Sequence, residues 1–596
     1  MNRIKSFFKA GSPALKYKWC YFALAVIGIA SIWLDLAYAE VNRALFSNID
    51  SITFQMAIRI VSTFGLIIAA QYIIGFLDNC ISTYFNESVV YAMRRELLKR
   101  IEHLPLEYFD NNHSGKIINL FFSQLETVKD FVVSDLQALI RLPLSFLIIS
   151  GYLFTVHPLL GFTAVFSSVL QPLSNFVFRK NYESSCDDVR ITTNNIFSVM
   201  QEVIQGVREV KINQIEDYFD RKMGALQKCG VRQNLRIAIL STIRWIIKEL
   251  PTKIGYLAGI GASVYLIIKG DIGAGDLMVF ITLLSKVSEP FNGITSVISN
   301  LQSALSSADD LIKLINEPAE NYDSGECGIL PIEKIEFINV DFSYTVKDEE
   351  NEDEMLTKKV PVIHDLNFEI PVGKTIALVG PSGSGKSTVI RLMYGFYRTD
   401  SGKITINGRN IEEYNTKVLR SVMSVVSQDI FMFDGTVREN LVLGREDISE
   451  EKLMEALQYS ESYDFVMNLP DGLETNLGER GIKVSQGQKQ RLSIARAILR
   501  QSLLSEAGVL ILDEPTSSLD VETEYNFQQG IEKWAKNCTK IVIAHRLTTI
   551  RNADYIVFLE DGYAVEQGTP SELLSKTDSK FREYWQKQFV FNEDDK

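Results

Sequence analysis

The chain has 596 residues, 46% hydrophobic and 23% charged, and its apolar residues fall in long blocks, which excludes a single compact soluble domain. Its 61 basic against 74 acidic residues leave a net charge of −13, so a nucleic-acid partner is not expected. The six cysteines (Cys20, Cys80, Cys186, Cys229, Cys327 and Cys538) show no CxxC or other metal-ligand spacing, read as reduced thiols, and exclude a disulfide scaffold.

From residue 20 to about 305 the chain is apolar in runs long enough to cross a bilayer. Residues 20–34 form the first run, and 60–77 are uncharged over 18 residues. Residues 142–178 lack Asp, Glu, Lys and Arg for 37 positions, too long for one helix, and Val156-His157-Pro158 near the middle reads as a tight turn between two spans. Residues 254–268, bounded by Lys253 and Lys269, form a fifth. The sixth, from 277, is broken by Lys286 and Glu289 before Pro290. Six spans are expected.

Basic residues orient them. Arg3, Lys5, Lys9, Lys16 and Lys18 precede the first span, and two long connections carry most of the rest, among them Arg94, Arg95, Lys99, Arg208, Lys211, Arg221 and Lys222. The opposite connections hold little beyond Arg43 and Lys269. The positive-inside rule then places both termini and the long loops in the cytoplasm. The first 19 residues are charged and lack an A-x-A-like site, so no cleaved signal peptide is expected. Val203, Val207 and Val210 recur at helical spacing, which continues the membrane helices into the cytoplasm. The acidic run at 347–354 reads as a solvated loop.

The second half alternates strands and helices. The apolar strand 375–379 runs directly into Gly380-Pro381-Ser382-Gly383-Ser384-Gly385-Lys386-Ser387-Thr388 and then a helix, which is G-x-x-x-x-G-K-[ST] in strand–loop–helix context. Glycines let backbone N–H groups curl around phosphate oxygens, and the helix N-terminus favours negative charge. Lys386 would carry the cation to the β- and γ-phosphates, and the Ser387 hydroxyl would ligate Mg²⁺. Downstream, the strand 509–513 ends in Asp513 and Glu514; Asp513 would hold Mg²⁺ and Glu514 would act as general base on the attacking water.

Together these residues resemble an ATP-binding-cassette exporter half-transporter over nearly the whole chain. Between the two phosphate motifs lies Val484-Ser-Gln-Gly-Gln-Lys-Gln-Arg491, similar to the family signature L-S-G-G-Q. Asp341-Phe-Ser-Tyr344 resembles the aromatic loop and Val426-Ser-Gln428 the Q-loop. Ser517-Ser-Leu-Asp520 is similar to the D-loop, Ala544-His545-Arg546 to the switch histidine, and Gly478-Glu-Arg-Gly481 to the element before the signature. The resemblance implies that Tyr344 stacks on adenine, that Gln428 reaches Mg²⁺ and the attacking water, and that His545 contacts the γ-phosphate and orients Glu514. It also implies that Ser485, Gly487 and Gln488 bind ATP held on a second copy's Lys386 loop, so that one chain cannot complete a site. Gln486 and Val484 depart from the consensus glycine and leucine, and glycine there permits close backbone approach. A homodimer is expected, with a heterodimer as the alternative. His103-Leu-Pro-Leu-Glu-Tyr-Phe109 with Ser114-Gly115 resembles the first coupling segment of exporters, and Val210-Lys211 with Tyr218-Phe219 lies near the second.

The expected fold is multi-domain: an all-α transmembrane domain of six helices, then an α/β P-loop NTPase (ABC ATPase) domain. The boundaries are 1–18 cytoplasmic segment, 19–318 transmembrane domain, 319–332 linker and 333–596 nucleotide-binding domain. The function implied is ATP-driven export or flipping of an amphipathic small molecule, lipid or small peptide across the cell membrane, in contact with membrane lipid. The alternative is an ATP-gated channel or regulatory membrane protein on the same scaffold. Among ionisable residues in or near the spans (Asp35, Arg59, Asp78, Arg141, Arg244, Lys248, Glu249, Lys286, Glu289), Lys286 and Glu289 are the foremost candidates to line a cavity.

Overall fold

The structure is a computed structural model and describes residues 2–47, 53–112, 114–174, 179–322, 325, 328, 332–347, 357–502, 508–514, 521–535, 538–543 and 550–593. Two compact units emerge: Met1–Lys99 with Gly115–Asn316, and Arg100–Ser114 with Glu317–Lys596.

The first unit is helical. Its elements are α1 (Asn2–Ala10), α2 (Lys18–Ser47), α3 (Phe54–Glu102), α5 (Ser114–Val156), α6 (Pro158–Ser174), α7 (Arg179–Gln205), α8 (Val207–Asn213), α9 (Glu216–Lys269) and α10 (Ala274–Asn316), with α4 (Leu106–Asn111) belonging to the second unit. The six apolar stretches fall on α2, α3, α5, α6, α9 and α10. Four helices among the described residues, Ser12–Ser47, Phe54–Glu102, Ser114–Val156 and Glu216–Lys269, are long and apolar enough to cross a membrane. On α6 the apolar part described is Pro158–Gln171, residues 175–178 of the same run lying outside the described residues, and α10 carries Lys286 and Glu289 in its run.

At 49 and 54 residues, α3 and α9 exceed the roughly 20 residues that a bilayer requires, so much of each lies beyond it. Residues Val279, Phe280, Leu283, Leu284 and Val287 recur at helical spacing on α10 and form one buried face with Ile149, Leu153 and Leu160. A Cβ on Gly259 of α9 would stand 1.9 Å from the Phe280 ring, so the crossing of α9 and α10 needs glycine there. Lys286 is paired with Asp35 of α2 at 3.1 Å, and Gln71 of α3 donates to the other Asp35 oxygen at 3.4 Å, while Glu289 is exposed. The foremost cavity cation is therefore neutralised within the unit.

The second unit holds two sheets. One is antiparallel in the order β2-β1-β4-β5, from β1 (Lys334–Lys347), β2 (Thr357–Pro371), β4 (Ser401–Ile406) and β5 (Arg409–Asn410). The acidic residues 348–354 lie outside the described residues. The other runs β10-β9-β3-β8-β7-β6, from β3 (Thr375–Val379), β6 (Met423–Val426), β7 (Val509–Asp513), β8 (Thr539–Ile543), β9 (Tyr555–Glu560) and β10 (Tyr563–Gly568). All its neighbours are parallel except the β9–β10 hairpin. A parallel sheet covered on both faces needs apolar residues at every position. In β3, Ala377 and Val379 enter one core while Ile376 and Leu378 enter the other; in β7, Leu510 and Leu512 oppose Val509 and Ile511 in the same way. Ile543 at the end of β8 is in register with both Leu378 and Asp513, so β3, β8 and β7 end along one edge.

Candidate nucleotide-binding site

Beyond that edge the chain turns from β3 into the helix α11 (Lys386–Met393) through the glycine loop. Two glycines there are required. A Cβ on Gly380 (φ +157°) would stand 2.0 Å from the Leu559 carbonyl oxygen, and Gly385 (φ +97°) would press Ile363 at 2.6 Å. Pro381, Ser382 and Gly383 are exposed, whereas Ser384, Lys386 and Thr388 are buried and Ser387 is half-buried. The Lys386 ammonium folds back on its own loop, donating to the carbonyl oxygens of Gly380 at 2.9 Å and Pro381 at 2.8 Å. Burial lowers its pKa, against the opposing pull of Glu514 and Asp513.

Across β8, Asp513 ends β7 with Oδ1 buried and without a hydrogen-bond partner. Burial first, and then the neighbouring Glu514, push its pKa up to about 6. An unpartnered buried carboxylate oxygen on Asp513 and the half-buried hydroxyl of Ser387 are both hard oxygen donors, a chemistry that fits Mg²⁺. Glu514 adopts φ +49°, the left-handed region, and its carboxylate accepts from Gln428 Nε2 at 3.2 Å. Its backbone carbonyl accepts from Gln490 Nε2 at 3.1 Å.

The helix α12 (Gln486–Ser502) opens on a reciprocal cap: Ser485 Oγ accepts from the Gln488 N–H at 3.3 Å, and the Gln488 side chain accepts from the Ser485 N–H at 2.8 Å. Gln486 is exposed at the first helical position with ordinary helical backbone, so the departure from glycine creates no strained φ. Gly487 follows as the second helical residue. In β1, the Tyr344 hydroxyl hydrogen-bonds Thr388 Oγ1 at 3.1 Å and accepts from Arg391 at 3.4 Å, and its ring meets Phe342 and Tyr397 edge-on at 4.8 and 5.2 Å. The Tyr397 hydroxyl donates to Asp110 of α4.

The structure thus brings Lys386, Asp513, Glu514 and Gln428 to one sheet edge. His545, with Ala544 and Arg546, and the stretch 517–520 lie outside the described residues. Gln490, Arg391, Tyr397 and Asp110 were not anticipated. Gln490 does fall within the quoted signature stretch, and its buried position one helical turn past Gln486 is the signal that marks it. The other three carry no motif.

A glycine loop joining a buried parallel strand to a helix, a carboxylate pair two strands away, and a capped Ser-Gln-Gly-Gln helix define an ATPase of the ATP-binding-cassette class. The family profile described as ABC transporter matches residues 363–517, and that of the ABC transporter transmembrane region matches residues 19–291. Proteins of Staphylococcus aureus strains NCTC 8325 / PS 47 and COL are each 31% identical over 582 residues, covering 94% of this chain and 96% of theirs; both are provisionally named multidrug export ATP-binding/permease protein. The solved structure of a bacterial Atm1-family ABC exporter with ATP bound shares the fold at TM-score 0.80 and 23% identity, over 95% of this chain and 97% of that one. The chain belongs to the ABC transporter family and couples an ATP-hydrolysing domain to a membrane domain.

Proposed function

We propose that two copies of the chain form an exporter of multidrug type that binds ATP between their nucleotide-binding domains and moves an amphipathic molecule, lipid or small peptide by alternating access. The observation that carries this reading is the constellation at the sheet edge: Glu514 held by Gln428 and Gln490 beside the unpartnered carboxylate oxygen of Asp513 and the buried Lys386. Glu514 serves as general base. Lys386 exchanges its two loop carbonyls for phosphate oxygens, and Tyr344 offers its ring to adenine. Ser387, Asp513 and Gln428 would hold Mg²⁺, which would supply positive charge against the triphosphate. The positions of Ser485, Gly487 and Gln488 suit a second copy's nucleotide, and His545 orients Glu514. Basic-residue placement puts both termini and the ATPase domain in the cytoplasm, with the spans in the plasma or inner membrane.

The test is ATP hydrolysis by the purified protein in lipid nanodiscs beside a Glu514→Gln control, with amphipathic compounds added. Hydrolysis that the control lacks and amphiphiles raise is the expected result. No hydrolysis by the wild type overturns the homodimer and calls for a partner subunit.

A further inference from the structure

Near the Lys18 end of α2, the helices α2, α3 and α5 enclose a cavity of about 110 Å³. Its walls are apolar on α2, from Tyr21 to Ile32, but Asp78 of α3 and both Gln137 and Arg141 of α5 line it as well. Asp78 directly follows the uncharged run 60–77, and Arg141 directly precedes the uncharged run 142–178. Both charges therefore stand at the ends of the apolar runs on α3 and α5, against the apolar run of α2.

Two features of this cavity lack an explanation within the described residues, and a third makes room for them. Asp78 and Arg141 line one small space, yet neither makes an ion pair or hydrogen bond among the described residues, so their charged ends stand more than 4.0 Å apart. Gln137 Nε2 is buried with no hydrogen-bond partner. The Arg141 stem lies along Gly28, where a Cβ would sit 3.4 Å from its Cδ, so glycine leaves the arginine room to lie against α2. Opposite charges in apolar surroundings ordinarily pair directly, and buried donors ordinarily find acceptors. A gap between an anion and a cation, with a spare donor beside the cation, matches a guest that carries both signs itself.

We propose that this cavity holds the headgroup of a zwitterionic amphiphile, its ammonium on Asp78 and its phosphate or carboxylate on Arg141 and Gln137. A guanidinium with a neighbouring amide N–H suits a phosphate or carboxylate oxygen pair. At about 10–15 Å³ of cavity per water-sized group, the volume suits a compact headgroup rather than a whole lipid. The tails leave along Ile29 and Ile140, which line the cavity and are 39% and 66% exposed. Placing the site in the cytoplasmic leaflet rests on the orientation proposed above; the pairing chemistry does not.

The test uses full-length, delipidated protein without ATP. Dioctanoyl phosphatidylethanolamine, dioctanoyl phosphatidylglycerol and a dioctyl quaternary ammonium are titrated in turn, with occupancy counted by native mass spectrometry. One zwitterion per chain, bound roughly tenfold tighter than either singly charged probe, is expected, as for a loss of one charge-assisted contact. Asp78→Asn should shift the preference to phosphatidylglycerol and Arg141→Gln to the ammonium, a reciprocal pattern that a general packing defect does not produce. If those variants fail to fold, Gln137→Leu leaves both charges in place and should weaken the zwitterion and phosphatidylglycerol while leaving the ammonium unchanged. Equal binding of the three probes by the wild type, or an unchanged preference in both charge variants, overturns the proposal. The same probes added to ATPase assays separate the two sources. Stimulation of hydrolysis marks a transported amphiphile, and binding without stimulation marks a resident membrane lipid while leaving the site intact.

Discussion

Arg420 and Glu320 meet as a bidentate pair, Nη1 on Oε2 and Nη2 on Oε1, each at 2.7 Å. The pair is largely buried, with side chains 18% and 10% exposed. Arg420 also donates to the Tyr322 hydroxyl at 3.1 Å and lies 4.8 Å over the Phe396 ring. The segment around Glu320 is fastened elsewhere too: Glu320 N–H donates to the His103 carbonyl at 2.8 Å, and Thr416 N–H donates to the Asn321 carbonyl at 2.9 Å. Glu320→Ala strands a buried guanidinium and should cost about 3 kcal/mol. The expected outcome is faster proteolytic cleavage near residue 322 and a lower melting temperature of the intact protein. Arg420→Lys should rescue neither, since an ammonium cannot form the fork or stack.

Glu514→Gln preserves shape and the hydrogen bonds of Gln428 and Gln490 while removing the base. Hydrolysis should fall by about 10²- to 10⁴-fold with ATP binding retained, as read by nucleotide trapping against steady-state phosphate release.

Asp513 gives a signed pH dependence in the nucleotide-free protein. Its folded pKa, about 6, lies above its ordinary value of 3.8, so its contribution to stability is present at low pH and is lost as pH rises through 6. Asp513→Asn removes the ionisation cost. Its melting temperature should exceed that of the wild type at pH 8, and the gap should close as pH falls below about 6.

Tyr344 separates stacking from hydrogen bonding. Tyr344→Ala should weaken ATP binding by up to about tenfold, the range of an aromatic contact. Tyr344→Phe loses only the bonds to Thr388 and Arg391 and should keep most of the affinity, measured by nucleotide fluorescence titration.

The strands 375–379 and 509–513 were legible to the residue, because a continuous apolar run closed by glycine or by carboxylates has few other readings. The glycine loop and the Glu514 neighbourhood followed from them. Lys286 was legible as a costly charge in an apolar helix, but its partner Asp35 was not, since their meeting is set by how α2 packs on α10. Gln490 and Tyr397 were missed for the same reason. Periodicity reports which face is buried, whereas a partner such as Asp110 for Tyr397 is chosen by topology.

The ATPase body is stitched from two lengths of chain, and this bears on how it is made. Leu106 packs on the core built around β3 and β9, Asp110 takes the Tyr397 hydroxyl, and the His103 carbonyl takes the Glu320 N–H. All three belong to Arg100–Ser114, whereas the rest of the body begins at Glu317. During synthesis at about 5–20 residues per second, that short segment emerges on the order of half a minute before β10 is complete. It must wait, undocked, while the intervening helices enter the bilayer, so the ATPase body of this transporter can close only after its membrane body has been threaded.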